Sequence, residues 1–467
     1  MPPLARPHSP HPVPGLAVII KALCSACLLY PALSGPMAYC AEGNPLAGLP
    51  SLKIGAPDSE RQDQGYSFVK SSPAQGSLQT SGAMGLKDIL LLVRTRHPAI
   101  ASKSAELDAA DAGKLGAQLR FLPAPSLDTT SRDGKTATTV RLEQPLWTGG
   151  KLMAGLDSAE AKARMSNANL TETELALSLR ATSLYQNYLA IKNRISVLDN
   201  GIRRMQDLGD MITRRAQSGT SASADIDLAH SRIGQLKTER ISAENNLRTI
   251  LSQLSQLTGE TITVNTINSD IPAPTMVDME EIELRVMSAH PTLLRAQLDI
   301  DLATADKAMA KAVLWPTVSI RAEHQEGEYL GSQLAGNRVY FALTYTPGAG
   351  LASLTDISAA SARIRSAEGE LENKRRDLLD KLRTEQNDFE TTRLRQAELT
   401  RNSKLTADIL DSSTRLFVLG RRSWLDLLNA VREMVSAQQQ EVDNKALAYG
   451  AYQRLRLWAG EPVWHQE

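Results

Sequence analysis

An internal duplication constrains this chain more than any other feature of its sequence. Val93-Arg94-Thr95-Arg96-His97-Pro98 recurs as Val286-Met287-Ser288-Ala289-His290-Pro291, an offset of 193 that Lys114/Lys307 and Pro123/Pro316 keep. The offset then becomes 201 at Gly149/Gly350, Arg214/Arg415, Gly219/Gly420, Asp225/Asp426, Ala229/Ala430 and Gly259-Glu260/Gly460-Glu461. Chance does not set punctuating Pro and Gly in one order twice, so the fold repeats a unit of about 200 residues. The eight extra residues of the second copy fall between Pro316 and Gly350.

Each copy reads in the same order. A helix of roughly 25 residues starts at the His-Pro, where proline suits the first helical turn, and stops before Pro123 or Pro316. Two strands follow. Thr138, Val140 and Leu142 alternate with Thr139, Arg141 and Glu143, and the second copy alternates Val318, Ile320 and Ala322 with Ser319, Arg321 and Glu323. Val339, Phe341, Leu343 and Tyr345 likewise alternate with Tyr340, Ala342 and Thr344, the period of a strand with two unlike faces. Asp133-Gly134 predicts a tight turn in copy one, and Gly331 to Asn337 a longer loop in copy two. Lys151–Gln217 and Leu351–Phe417 contain no proline and almost no glycine. They predict helices of about 65 residues, on the order of 100 Å long. Leu371, Leu378, Leu382 and Phe389 are spaced 7, 4 and 7, a narrow coiled-coil seam. Each long helix turns at Gly219 or Gly420 and returns through a second helix to Gly259 or Gly460.

The strands pose a physical problem. They are about nine residues long with one apolar face, which suits a tilted membrane crossing. Four strands cannot close a barrel, and lipid does not tolerate open sheet edges. Several copies must therefore pool their strands. Trp147, Trp315 and Tyr345 sit where an interfacial girdle would lie. A soluble four-stranded sheet packed on helices is the alternative.

Composition narrows the function classes. Lys+Arg and Asp+Glu both total 52, so no basic excess points to nucleic acid. Cys24, Cys27 and Cys40 are the three cysteines, all in residues 1–40. That segment reads as a signal peptide, with an apolar stretch from Leu16 to Leu33 and cleavage expected before Ala41. Cys24-Ser25-Ala26-Cys27 offers a rival lipoprotein site with Cys27 acylated. Removal of the segment leaves no cysteine for disulfides, thiolate metal sites or nucleophilic catalysis. Residues 41–84 hold 17 Gly, Pro or Ser in 44 positions and read as a flexible leader. The repeats then span 85–260 (strands about 124–146, helical hairpin about 151–258) and 280–461 (strands about 317–347, hairpin about 351–459). No segment after the leader approaches 18 consecutive apolar residues.

Enzyme motifs are missing from the sequence. None of the seven histidines forms His-Glu-x-x-His, and Gly149-Gly150-Lys151 lacks the upstream glycine and following Ser/Thr of a phosphate loop. His97 and His290 read as structural residues at helix starts. No cofactor is expected, and the chain is read as a non-enzyme.

The duplicated His-Pro helix and the strand–strand–long-helix order carry a resemblance, together with the turns Gly219–Asp225 and Leu419–Ala430 and the join Gln144-Pro145-Leu146-Trp147-Thr148-Gly149-Gly150. Over residues 85–461 the sequence resembles the TolC-like outer-membrane factor family. The resemblance implies a mainly α chain with a membrane β-barrel: a homotrimer whose twelve-stranded barrel in outer-membrane lipid continues into a long periplasmic α-barrel. It implies a periplasmic adaptor docking at the hairpin tips Gly219 and Gly420, and an inner-membrane ABC transporter or RND pump. It also implies a polar gate at the periplasmic end. Arg422 matches the family's latch arginine, Asp426 the first aspartate of its constricting ring, and Asp225 the acidic partner. Two positions depart from the best-known member: Phe417 replaces a tyrosine and Asn429 a second aspartate. Capping and solvation of a helix start is the competing reading of Arg422 and Asp426. Tyr345-Thr346-Pro347-Gly348-Ala349-Gly350-Leu351 and the neutral, proline-poor body look more like members serving type I secretion of large adhesins than like drug-efflux members. A periplasmic adaptor or coiled-coil scaffold is the rival of another class.

Overall fold

Twelve elements follow one another in two matching halves of a computed structural model, which describes residues 83–132, 135–276, 278–327, 336–346 and 352–461. The first half runs α1 (Leu86–Arg96), α2 (Pro98–Leu119), β1 (Ala124–Arg132), β2 (Lys135–Trp147), α3 (Lys151–Gln217) and α4 (Ser223–Thr258). The second runs α5 (Met279–Ala289), α6 (Pro291–Ala312), β3 (Thr317–Gly327), β4 (Gly336–Thr344), α7 (Ala352–Val418) and α8 (Trp424–Trp458). The expected signal peptide, nearly all of the leader, the Asp133-Gly134 turn, and most of the Gly331–Asn337 loop and the Pro347–Leu351 segment lie outside the described residues.

A helix starts at each His-Pro as the sequence predicts, and a short helix that the sequence reading lacked precedes it. Each His-Pro sits between two helices, an 11-residue one before it and a 22-residue one after. The residue before a proline avoids the helical region, so His97 (φ −70°, ψ 126°) and His290 (φ −66°, ψ 131°) break the chain's helix. Each then caps the next one, its Nδ1 accepting from the backbone N–H of Ala99 at 3.2 Å or Thr292 at 3.3 Å.

The strands form one antiparallel sheet in the order β1-β2-β3-β4, with both outer edges open among the described residues. Pro145 falls on β2 beyond the end of β1, at a register shift before Trp147, where its missing N–H breaks no ladder on that side. Val339, Phe341 and Leu343 on one face are 71–75% exposed, and Leu127, Val140 and Leu142 join them. The other face is ionic. Glu323, 8% exposed, accepts from Arg141 at 2.5 Å and from the Tyr340 hydroxyl at 2.8 Å. Glu143 accepts from Ser319 at 2.7 Å and from Arg321 at 3.0 Å.

At the strand-to-helix joins the Trp147 and Trp315 rings meet edge to face, 6.0 Å between centroids. Gly149 lies under Trp315 at φ +61°, where an added Cβ would stand 2.4 Å from the tryptophan Cβ. Only glycine fits there.

The two α-hairpins, α3–α4 and α7–α8, carry the core. Their apolar stripe includes Leu189, Leu198, Met205, Ile212, Leu254, Leu427 and Leu428, each worth roughly 1.5–3 kcal/mol in burial. The connection between the halves packs onto α3, where the Tyr185 and Tyr188 hydroxyls donate to the carbonyls of Asn268 and Ile267 at 3.2 Å each. Leu378, Leu382 and Phe389 of the heptad-spaced seam are buried against Ile282, Val286 and Leu455. No helix of the described residues is long and apolar enough to cross a membrane.

Candidate functional site at the helical tips

The ends of the two hairpins are built alike. Gly219 (φ +76°) and Gly420 (φ +71°) terminate α3 and α7 in the left-handed conformation that glycine adopts without a Cβ penalty. The following N–H closes each helix, Thr220 on the Arg215 carbonyl and Arg421 on that of Leu416, both at 2.9 Å. Both glycines are exposed.

The side chains around these turns differ between the copies, and they lock the tips together. Phe417 and Trp424 are each 6% exposed, and their rings tilt against one another with centroids 5.6 Å apart. The Arg215 guanidinium lies 4.8 Å from the Phe417 ring centre and donates from Nη1 to the Phe417 carbonyl at 3.2 Å. Trp424 Nε1 donates to the Asp225 carbonyl at 3.0 Å. Asp225 thus meets the second hairpin through its backbone. Arg215 and Trp424 were absent from the sequence-derived site. The signal for them lies in the repeat: at the 201 offset Arg215 faces Leu416, Phe417 faces Ala216 and Trp424 faces Ser223, so the duplication breaks at the tip.

Asp426 belongs to a capping box. Its N–H donates to Ser423 Oγ at 3.1 Å, and its carboxylate accepts from the Ser423 N–H at 3.4 Å. Hydrogen bonding from Ser423, then the nearby Arg422 charge, holds this carboxyl below the usual aspartate range. Arg422 is exposed and makes no hydrogen bond or ion pair among the described residues. Asn429 follows Asp426 by three residues, so the two share a face of α8, with Asn429 half-buried. The tip therefore presents the Asp426 carboxylate and the exposed guanidinium groups of Arg421 and Arg422 from the second copy, mounted on a clasped pair of hairpins. No cluster of metal-ligating side chains occurs among the described residues.

Comparison with known proteins shows what the chain is similar to. The model of the family described as outer membrane efflux protein matches residues 90–260. Outer membrane protein TolC of Escherichia coli is 23% identical over 406 residues, covering 78% of this chain and 80% of that protein. The solved VceC channel of Vibrio cholerae superposes with a TM-score of 0.70 at 14% identity, covering 80% of this chain and 96% of that one. The chain is similar to TolC-like outer-membrane factors. Pyoverdine export outer membrane protein OpmQ of Pseudomonas putida is a further relative, 22% identical over 267 residues and matched over 56% of this chain and 54% of its own length. The fold is that of the solved outer-membrane channels it superposes on.

Proposed function

We propose that three copies of this outer-membrane factor form the exit duct of a tripartite export system. In this reading the sheet crosses the outer membrane and the α-hairpins extend into the periplasm. One observation carries it: the sheet has an apolar, exposed face, an ionic opposite face and two open edges. Water penalises the first and lipid the last, and pooling three such sheets into a closed twelve-stranded barrel removes both costs.

The helical tips are the periplasmic entrance. Arg422, Asp426, Asp225, Phe417 and Asn429 form its gate, with Asp426 facing the passage as a ring of three carboxylates. Exposed Val418, Leu419 and Leu425 beside Gly420 offer an apolar knob for an adaptor hairpin. The duct does no chemistry of its own; an adaptor and an inner-membrane transporter supply selection and energy. The cargo is a large secreted protein, delivered by an ABC transporter. Small-molecule efflux is the second reading, favoured by the likeness to a protein named for pyoverdine export. Deletion of the gene followed by a survey of secreted proteins and of drug susceptibility separates the two. Loss of one large secreted protein at unchanged susceptibility is the expected outcome. Drug hypersensitivity with normal secretion would favour the second reading.

A further inference from the structure

The helical layer of one copy ends in two unpartnered edges. α4, α3, α8 and α7 stand side by side in that order, and α4 and α7 do not touch within the copy among the described residues. Contacts between neighbours fix the heights along the layer. Asp199 on α3 accepts from Arg240 on α4 at 2.5 Å. A Cβ added at Gly201 on α3 would stand 2.5 Å from a Val435 methyl on α8, and the Thr400 hydroxyl on α7 donates to Glu441 on α8 at 3.0 Å. These ties set α7 level with α3 at the duplication's own offset of 201. Arg401, Asp408 and Arg415 on α7 are thereby level with Glu239, Arg232 and Asp225 on α4.

Those residues form two matching stripes. On each helix they recur every seven residues, so they share a face, and their signs alternate. Level by level the two stripes are opposite in sign. A slip of one heptad sets Asp408 against Glu239 and Arg415 against Arg232, or Asp408 against Asp225 and Arg401 against Arg232, like on like. Arg401, Asp408 and Arg415 are exposed, about half a turn round from the buried Thr406, Leu410 and Phe417 that face the rest of the copy. Leu394 and Leu405 lie on the same side of α7, 61% and 51% exposed. On α4 Glu239 is exposed, and Asp225 and Arg232 are half-buried. Arg401 pairs with Glu398 on its own helix at 3.2 Å, and Arg232 donates to Gln235 at 2.9 Å. The Asp408, Arg415, Glu239 and Asp225 side chains make no hydrogen bond or ion pair among the described residues. Lys404 is level with Lys237, which stands on the opposite side of α4 from Glu239.

We propose that α7 of one copy lies antiparallel against α4 of the next, with Arg401 on Glu239, Asp408 on Arg232 and Arg415 on Asp225. A symmetry axis along the hairpins keeps every residue's height from copy to copy, so what is level within one copy is level between copies. Exposed ion pairs add little stability singly, and the ladder's effect is to specify register by repelling the heptad-shifted alternatives. Asp225, a gate residue, supplies the rung nearest the tip. This inference deepens the trimeric-duct reading and rests on it.

Cysteine crosslinking tests it with all six charges intact. In one copy α4 and α7 are three helix spacings apart, roughly 24–30 Å, beyond disulfide reach, so a disulfide between them joins two copies. Leu405→Cys is combined with Gln235→Cys, which is level with it, or with Leu228→Cys or Ser242→Cys, each one heptad or about 10 Å away. Outer-membrane fractions are treated with mild oxidant, and the unsubstituted chain controls for its own cysteines. The 405/235 combination should give covalent dimers and trimers fastest. Faster linkage through 228 or 242 would overturn the register. No linkage while the unsubstituted chain remains a trimer, as when an adaptor hairpin covers this face of α7, would overturn the interface. A monomeric unsubstituted chain would instead defeat the duct reading beneath it. As a second arm, Asp408→Arg and Arg232→Asp should each lower the temperature at which the trimer dissociates on a gel, and the doubly reversed chain should recover most of it. No recovery would count against the ladder.

Discussion

The Trp424 indole donates to the Asp225 carbonyl at 3.0 Å across 199 residues of sequence, joining the first turn of α8 to the first turn of α4. The Arg215–Phe417 contact makes a second tie between the same hairpins. Both ties are internal to one copy. The two tips of a chain consequently move as a unit, and opening the entrance requires either rigid displacement of that unit or breakage of the clasp.

Removing the indole hydrogen bond should loosen the entrance. Trp424→Phe keeps an aromatic ring against Phe417 and loses a bond worth about 1 kcal/mol. Single-channel conductance in a planar bilayer should rise modestly, and Trp424→Ala, which also leaves a cavity at roughly 3–5 kcal/mol, should raise it more. Equal conductance in all three chains would show that the clasp does not restrain the entrance.

Arg422 is exposed and makes no hydrogen bond or ion pair among the described residues, so its guanidinium is available to carboxylates and carbonyls of a neighbouring copy. Arg422→Ser should raise conductance through loss of all three latches. Unchanged conductance would reduce Arg422 to an influence on Asp426.

Cation preference should follow Asp426. Asp426→Asn keeps a side-chain acceptor for the Ser423 N–H while removing the charge. Reversal potentials in a salt gradient should shift toward no selectivity, and block by a trivalent cation on the periplasmic side should vanish. Asn429→Asp should strengthen both. The depressed carboxyl is ionised at neutral pH and stays so as pH falls past the ordinary aspartate range near about 3.9. Selectivity should therefore survive mild acid and disappear only below that range. Anion preference at neutral pH would mean that Asp426 does not line the passage.

His290 makes stability sensitive to acid. Burial, with the Lys381 charge assisting, lowers its pKa from 6.5 to about 4. The unfolded chain takes up a proton as pH drops below about 6.5 while the folded chain resists it until about 4. Stability should decline across that window, by about 3 kcal/mol at its acid end. His290→Asn retains a capping acceptor and should flatten this part of the pH profile in thermal unfolding. A profile unaffected by the substitution would place the sensitivity elsewhere.

The duplication was legible because backbone geometry leaves durable marks. Gly219, Gly420, Gly259 and Gly460 all take positive φ, and His97-Pro98 and His290-Pro291 both break and restart a helix. Strand faces were legible because a sheet with one apolar side alternates strictly. The short helices α1 and α5 were not: Ile89-Leu90-Leu91-Leu92-Val93 reads as an apolar run, and only packing against the long helices shows that Ile89, Leu90 and Val93 form its buried side. At the tips, Arg422 and Asp426 could be placed through the turn that holds them. Arg215 and Trp424 act on partners about 200 residues away, a separation over which no helix or strand period carries information.

The oligomeric state of the chain extracted from its own membrane tests the account most directly. Crosslinking of detergent-extracted protein from separated inner and outer membranes should give trimers, in the outer-membrane fraction. On unheated gels the same species should migrate faster or slower than its heated form, as a closed barrel does. Monomers alone, or fractionation with the inner membrane, would contradict the duct.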